Sequence, residues 1–376
     1  MEEKKLFVFA ASNSFLTLPP VKQLNERIKL VSDVLVIQSR IGDYEDFFKG
    51  ATFYKIINNY DNYFNYHRQK LNEKIKKYIK IIYFFCFELP RFRKKYETVY
   101  IYSFELFIIW AAIIFKKPKD KIIYHQFELV DQAELNVLDR FCINRIKKNI
   151  SRVDFSIFPE LNRKLYFTRF LNKFNENQFY VLPNTNNNSP IDFLANNDKI
   201  IIAHIGALDL DTFITNLLET IINLPEKHFE FWFVGRISKD IKNMLADIPN
   251  KNVKIIDQLP HNLLQDLYQK IDIGLILYKD STLNTKFCAP NKLYEYWSFG
   301  IPIIGHILPG LESVVKYDIQ GYLINMNDSN QLGSTILKLG KKTKDKTMEL
   351  QLYFQNHLKL DNFLNDLFLK LKIKKI

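Results

Sequence analysis

The stretch from Cys288 to Gly305 carries the residue types best suited to chemistry. It reads as loop, short helix, sharp stop and buried strand. Pro290 suits the first helical turn, where its missing N–H costs nothing. Gly300 suits the helix stop, and Ile301 to Ile304 is an apolar run too short for a helix. On the predicted helix Leu293, Tyr296 and Trp297 share one side, while Asn291, Glu295 and Ser298 share another. A helix start offers N–H groups and a dipole that favour an anion, and an acid, Glu295, follows one turn later. Phosphates at the helix start and ribose hydroxyls on Glu295 would hold a nucleotide. An ordinary amphipathic helix before a strand satisfies the same pattern, and both readings stand at this point.

The elements that must position this stretch are set by size and composition. A chain of 376 residues is expected to form about two domains, and 47% hydrophobic residues suffice for two cores. The net charge of +12 fits nucleic acid, an anionic membrane surface or phosphorylated ligands. The bases are spread out and no nucleic-acid-binding signature occurs, so nucleic acid is not an expected partner. Cys86, Cys142 and Cys288 form neither a CxxC pair nor a metal spacing, which points to inert thiols in a reducing compartment. The run Leu6–Ala11 reads as a first strand rather than a signal peptide. Residues 101–115 contain Glu105 and fall short of the ~20 residues that a spanning helix needs. The expectation is a cytoplasmic protein without a membrane span.

Taken in order, strand signals occur at 6–11, 34–37, 51–57, 99–102, 121–124, 154–158 and 178–182, with helical segments between most of them. The polar, turn-rich run from Pro183 to Pro190 then reads as an interdomain linker. Strand signals resume at 200–205, 229–234, 253–256, 273–277, 301–304 and 322–324. The predicted fold class is α/β, with two doubly wound parallel sheets. The boundaries are an N-terminal domain at 1–183, a linker at 184–199, a C-terminal domain at 200–345 and a helical tail at 346–376.

The block Ala289-Pro290-Asn291-Lys292-Leu293-Tyr294-Glu295-Tyr296, followed by Gly300-Ile301-Pro302-Ile303-Ile304, resembles GT-B glycosyltransferases of the family 4 type, the glycosyl transferases group 1. Ile205-Gly206-Ala207-Leu208, Val234-Gly235, Leu182-Pro183-Asn184 and Leu308-Pro309-Gly310-Leu311-Glu312 fit the same pattern. Ile123-Tyr124-His125-Gln126-Phe127-Glu128-Leu129 is similar to a strand end of that family's first domain. The resemblance implies two Rossmann-like domains, with a nucleotide-sugar donor on the C-terminal one and an acceptor on the N-terminal one. It implies no metal and no other cofactor, a tail crossing back to the first domain, and retention of anomeric configuration. UDP-sugars rank ahead of GDP-sugars as donor, and a glycan or lipid-linked glycan in surface polysaccharide assembly is the implied acceptor.

On that resemblance Glu295 is the second acid of a Glu-x7-Glu motif and would take the ribose hydroxyls. The first acid would fall at Phe287, so Asn284, Lys286 or the backbone of 288–290 must replace it. Asn291 and Lys292 at the helix start, Gly206 and Leu311 complete the expected donor side. The Arg and Lys that many relatives carry after the glycine of the domain's first strand are absent from 206–212, and Arg236, then Lys286, are the expected replacements. Asp209-Leu210-Asp211 is read as a chance Asp-x-Asp. On the N-terminal side Ser12, Asn13 and Ser14 would face the acceptor, and His125, Glu105 and Glu128 follow strand ends as candidate catalytic groups. Leu71 to Lys95 interleaves bases with Ile75, Ile79, Ile82, Phe84 and Phe85. Such a stretch fits peripheral contact with an anionic membrane at its inner face, or a buried helix with a wet basic edge. The missing acid and missing basic pair keep a second class open, a GT-B-like binding or scaffold protein without catalysis. An epimerase of the same fold, acting on the donor alone, is a third.

Overall fold

The computed structural model describes residues 4–11, 19–38, 50–55, 71–129, 135–192, 198–248 and 252–373. The chain divides into two compact units, one of residues 1–183 with 364–376 and one of Asn184–Phe363. In the first unit the described strands are β1 (Lys5–Ala11), β2 (Asp33–Gln38), β3 (Thr52–Lys55), β4 (Thr98–Ser103), β5 (Asp120–His125), β6 (Phe155–Phe158) and β7 (Phe179–Val181). They form one sheet in the order β3-β2-β1-β4-β5-β6-β7, with every pairing parallel. Helices on both faces demand strands apolar on both sides, hence the unbroken run Leu6–Ala11, all of it buried. The strand order reverses between β1 and β4. There the Ser103 hydroxyl donates to the Ala10 carbonyl at 2.7 Å and ties the two strand ends together. The end of the chain packs on this unit. Arg27 donates to Asn365 at 2.9 Å, and the Tyr100 hydroxyl reaches the Leu371 carbonyl at 3.5 Å.

The second unit repeats the order. Its strands β8 (Ile200–Ile205), β9 (Phe229–Val234), β10 (Val253–Ile256), β11 (Ile273–Ile276), β12 (Ile303–His306) and β13 (Gly321–Ile324) run β10-β9-β8-β11-β12-β13, again all parallel. The doubly wound α/β architecture read from the sequence is thus the architecture of both units. One strand begins later than its apolar run. The helix Asn291–Ser298 ends at Gly300 (φ +67°), whose N–H donates to the Trp297 carbonyl, while the Ile301 N–H donates to that of Tyr296. These are the two closing bonds of a Schellman motif. Ile301 therefore serves the helix end, and β12 starts two residues later, at Ile303.

That helix is also not amphipathic in place. Leu293 through Ser298 are all buried. Its polar side is covered because its groups find partners. The Ser298 hydroxyl donates to the Glu295 carbonyl and accepts from the Asn188 side chain at 3.0 Å. The latter bond belongs to a series. Asn184 donates to the Ala289 carbonyl, Thr185 to that of Leu358, and Asn187 to the Asp361 carboxylate. The polar run read as an interdomain linker is hydrogen-bonded by its own side chains, over residues 184–188, within the second unit. Composition marks it as turn-rich but says nothing about where the amides point.

His125 closes β5 deep in the first unit, 1% exposed. Its Nδ1 lies 2.7 Å from the Tyr102 hydroxyl, its ring stacks on Phe127 at 3.9 Å, and its Nε2 is buried without a partner among the described residues. Burial pushes its pKa from 6.5 down to about 3. A neutral buried histidine against an unfolded one that protonates makes stability fall as pH falls from 6.5 toward 3. Between pH 7 and pH 5 the loss from this group is about 2 kcal/mol. Urea unfolding at the two pH values should show that loss in the wild-type chain and its absence in His125→Phe; equal pH slopes for the two proteins would sink the assignment.

Candidate functional site

In the second unit the strand order reverses between β8 and β11, and the loops after β8, β9 and β11 meet there. Gly206 and Gly235 make the first two loops fit. Gly235 holds φ +127°, and a Cβ on it would lie 2.4 Å from the Gly206 carbonyl oxygen. Past the glycines the loops continue as a short parallel ladder. The Leu208 N–H donates to the Arg236 carbonyl at 3.0 Å, and the Ser238 N–H to that of Leu208 at 2.9 Å. Gly206 is open on its own Cβ side, where the nearest atom is His204 Nε2 at 3.6 Å. Half-buried backbone without side chains therefore lies at the strand ends, and Arg236 projects into solvent beside it.

The helix Asn291–Ser298 stands against these strand ends. Tyr296 fixes it. Its ring occupies the space where a Cβ of Gly274 on β11 would sit, and its hydroxyl donates to the Ala203 carbonyl at 2.8 Å while accepting the Ile205 N–H at 3.1 Å. One residue earlier, Glu295 Oε2 accepts two bonds, from the Tyr268 hydroxyl at 2.5 Å and from Lys292 Nζ at 2.6 Å. Burial, then the Glu295 charge, holds the Tyr268 phenol well above its ordinary pKa, so it stays a donor. Burial lowers the pKa of the His204 imidazole, hydrogen bonding to the Ala207 and Leu275 carbonyls opposes that, and the Lys292 charge adds to the lowering. A cavity of about 430 Å³ borders the cluster, lined by Tyr268, Glu295, Gln265, Phe299 and Asn188 among others. The arrangement offers a fixed carboxylate able to accept hydroxyls, a cation in the first helical turn, and bare backbone at the neighbouring strand ends.

The remaining expected donor-side residues are placed less uniformly. Lys286 faces Asp280 at 3.6 Å, both partly exposed. Asn284 lies on the short helix Leu283–Lys286, and Phe287 caps that helix, its N–H donating to the Leu283 carbonyl. Leu311 is a correction. Its side chain is fully buried against Gly305 of β12, so it can offer a ligand no side-chain contact. What matters locally is the close approach of Gly310, where a Cβ would lie 2.5 Å from the Cys288 backbone. Asp209 and Asp211 belong to a turn. Asp209 accepts the Asp211 N–H, and Asp211 accepts the Ser281 hydroxyl. Tyr268 and His204 escaped the sequence reading. Their types fit a core helix and a strand end, and only the fold brings them to Lys292 and Glu295.

In the first unit a cavity of about 300 Å³ opens beyond β4 and β5. Glu105 and Glu128 line it together with Lys77, Lys147, Phe127 and Tyr166. The Glu105 carboxylate does not cap its own helix, and Lys147 Nζ rests 4.3 Å above the Phe170 ring. Burial, then Arg169, lowers the Lys147 pKa. His125 does not line the cavity. It lies behind Phe127, neutral and sealed, so among the described residues it has no open path by which to take a proton from a bound molecule. Ser12, Asn13 and Ser14 lie outside the described residues.

Residues 199–342 match the family model described as glycosyl transferases group 1. No curated protein matches the sequence significantly. Among solved structures, HepE from Anabaena, crystallised with UDP and glucose, superposes with a TM-score of 0.67 at 12% identity, covering 99% of this chain and 100% of that one. The lipopolysaccharide outer core galactosyltransferase WaaB gives 0.65 at 13% identity, with 97% and 99% covered. A putative UDP-N-acetylglucosamine 2-epimerase from Listeria monocytogenes gives 0.62 at 11% identity, with 99% and 98% covered. At these identities the likeness is one of fold, and that fold is GT-B.

Replacing a charged acceptor by a neutral one costs about 1.4 kcal/mol per bond, or tenfold in binding. Titration calorimetry with nucleotide sugars should find Glu295→Gln about tenfold weaker than wild type, and Tyr268→Phe, which keeps the carboxylate charge, within about threefold. Unchanged nucleotide-sugar affinity in Glu295→Gln removes Glu295 from the site.

Proposed function

We propose that this chain, a GT-B glycosyltransferase whose residues 199–342 form a glycosyl transferases group 1 domain, moves a glycosyl group from a UDP-sugar to a glycan or lipid-linked glycan in surface polysaccharide assembly. The observation that carries the donor side is the Lys292–Glu295–Tyr268 cluster beside the bare backbone of Gly206. The Glu295 carboxylate takes the ribose hydroxyls. Lys292 in the first helical turn and the exposed Arg236 neutralise the diphosphate, Lys286 is the second-ranked cation for that role, and no metal is needed. That HepE holds UDP and glucose, and that WaaB is named a galactosyltransferase of the lipopolysaccharide outer core, supports the choice of donor and of pathway.

In the retaining reaction the bond from the sugar C1 to the diphosphate oxygen breaks while the acceptor hydroxyl oxygen bonds C1 from the same face. The acceptor proton passes to the departing phosphate oxygen. No carboxylate nucleophile is required. What the protein supplies is charge placed where the leaving group becomes more negative, and an acceptor held in position. Glu105 and Glu128, at the first-unit cavity, are the candidates to orient acceptor hydroxyls.

Phe287 in place of an acid favours one other reading, a nucleotide-sugar-binding protein without turnover. The likeness to an epimerase favours a second, reaction of the donor alone. A thermal-shift screen of nucleotide sugars should raise the melting temperature with UDP-sugars above all others. UDP release should then depend on added glycan acceptor. Binding without UDP release supports the first rival, and an isomerised sugar formed without acceptor supports the second.

A further inference from the structure

The segment from Leu71 to Lys95 reads in sequence as a single amphipathic stretch, and the structure gives it two apolar faces. It is a helix, Leu71–Tyr83, then one π-turn, Phe84–Glu88, then a short helix, Leu89–Arg93. One face enters the core of the first unit through Ile81, Phe84, Phe85 and Leu89, all no more than 2% exposed. Phe84 and Phe85 are therefore core residues, as the reading of a buried helix with a wet basic edge has them, and Lys77 is buried too, at 6%. The opposite face carries Ile75, Ile79, Tyr83 and Phe87, which are 47%, 61%, 46% and 58% exposed. Their spacing is four residues throughout. In an α-helix such a series drifts by about 40° per step. The π-turn winds the other way relative to that series and returns Phe87 to the line, where its ring meets Tyr83 at 5.0 Å.

The result is an apolar ridge about 18 Å long by helical rise. Its flanks are basic. Lys76, Lys80, Arg91, Lys94 and Lys95 are exposed. From 75 to 95 the sequence holds one acid, Glu88, and it is taken by Arg91 at 2.9 Å. Arg93 is turned inward, paired with the buried Asp120. Isolated exposed apolar residues need no explanation, but a contiguous line of four rimmed by cations does. Aliphatic and aromatic side chains between lysines match a bilayer whose headgroups are anionic. A second copy of this chain would bring the same cations together across the contact, which the charge disfavours.

We propose that the ridge Ile75–Ile79–Tyr83–Phe87 is a bilayer-docking surface, inserted among anionic headgroups with Lys76, Lys80, Lys94 and Lys95 at the phosphate level. The inference rests on the proposed function only for its purpose, which is to hold the first unit where a lipid-linked acceptor resides. The docking itself is independent of turnover.

The test is cosedimentation of the full chain with vesicles of phosphatidylcholine alone, or with about one-third phosphatidylglycerol, at low and at high salt. Wild type should bind the anionic vesicles at low salt and be weakened by salt. Lys76→Gln/Lys80→Gln should partition about 25-fold less, at about fivefold per base. Ile79→Ser/Phe87→Ser should lose binding at every salt concentration while keeping the wild-type melting temperature and wild-type UDP affinity. The proposal is overturned if wild type ignores anionic vesicles at low salt, or if the serine variant binds them as wild type does. A concentration-dependent dimer abolished by the serine variant overturns it too. Failure of the UDP titrations with intact vesicle binding would instead remove the UDP-sugar reading and leave this one standing.

Discussion

The second unit depends on how one tyrosine is seated. Tyr296 places a ring where β11 has no side chain, at Gly274, and a hydroxyl where β8 has a spare carbonyl and N–H, at Ala203 and Ile205. A buried phenol must find partners or cost the fold one to three kcal/mol, and the backbone of β8 has both a donor and an acceptor to offer at that point. Satisfying it sets the depth and the rotation of the helix Asn291–Ser298 together. Once the rotation is set, Glu295 has to face Tyr268, and Lys292, one turn earlier, has to lie on the same side. Asn291 and Lys292 then stand at the strand ends where the sheet's order reverses. Packing in the core and the polar geometry of the candidate site are consequences of the same contact.

The fold was largely legible because its signal is redundant. Thirteen apolar runs at near-even spacing, separated by helical segments, allow few arrangements other than two parallel sheets. The run Leu6–Ala11 could be placed to within a residue because a strand buried on both faces has no polar interruptions. Two details escape a reading by composition, for one cause. Ile301 looks like strand and closes a helix. Asn184 to Asn188 read as an interdomain linker, and their composition does not show the hydrogen bonds they make within the second unit. In both cases the decisive fact is where a backbone or amide group finds its partner, and that partner lies 105 to 174 residues away or in the turn itself.

The candidate site was legible in its anchor and not in its surroundings. Glu295, Asn291, Lys292 and Gly206 stand in a block whose order carries meaning, so position in sequence transfers to position in space. Tyr268 and His204 have no such block. Leu311 and His125 show the converse, residues at suggestive positions whose side chains the core has taken. Leucine and neutral histidine bury readily, and a strand end offers a core as well as a mouth. Lys77 and Lys147, which line the first-unit cavity beside Glu105 and Glu128, would have been counted as surface charge by any reading of composition.

The π-turn at Phe84–Glu88 specifies orientation by counting. An α-helix advances about 100° per residue, so one residue more or fewer turns everything downstream by that angle. Here five residues occupy a turn that otherwise holds between three and four, as though a single residue had been inserted and absorbed. Four residues of a plain α-helix turn through nearly the same angle as these five, so Leu89 faces the core as it would if the extra residue were absent. The extra residue acts inside the turn instead, where the smaller angle per residue brings Phe87 back beside Tyr83. The segment thus holds an additional side chain on its outer face without disturbing the elements that follow it.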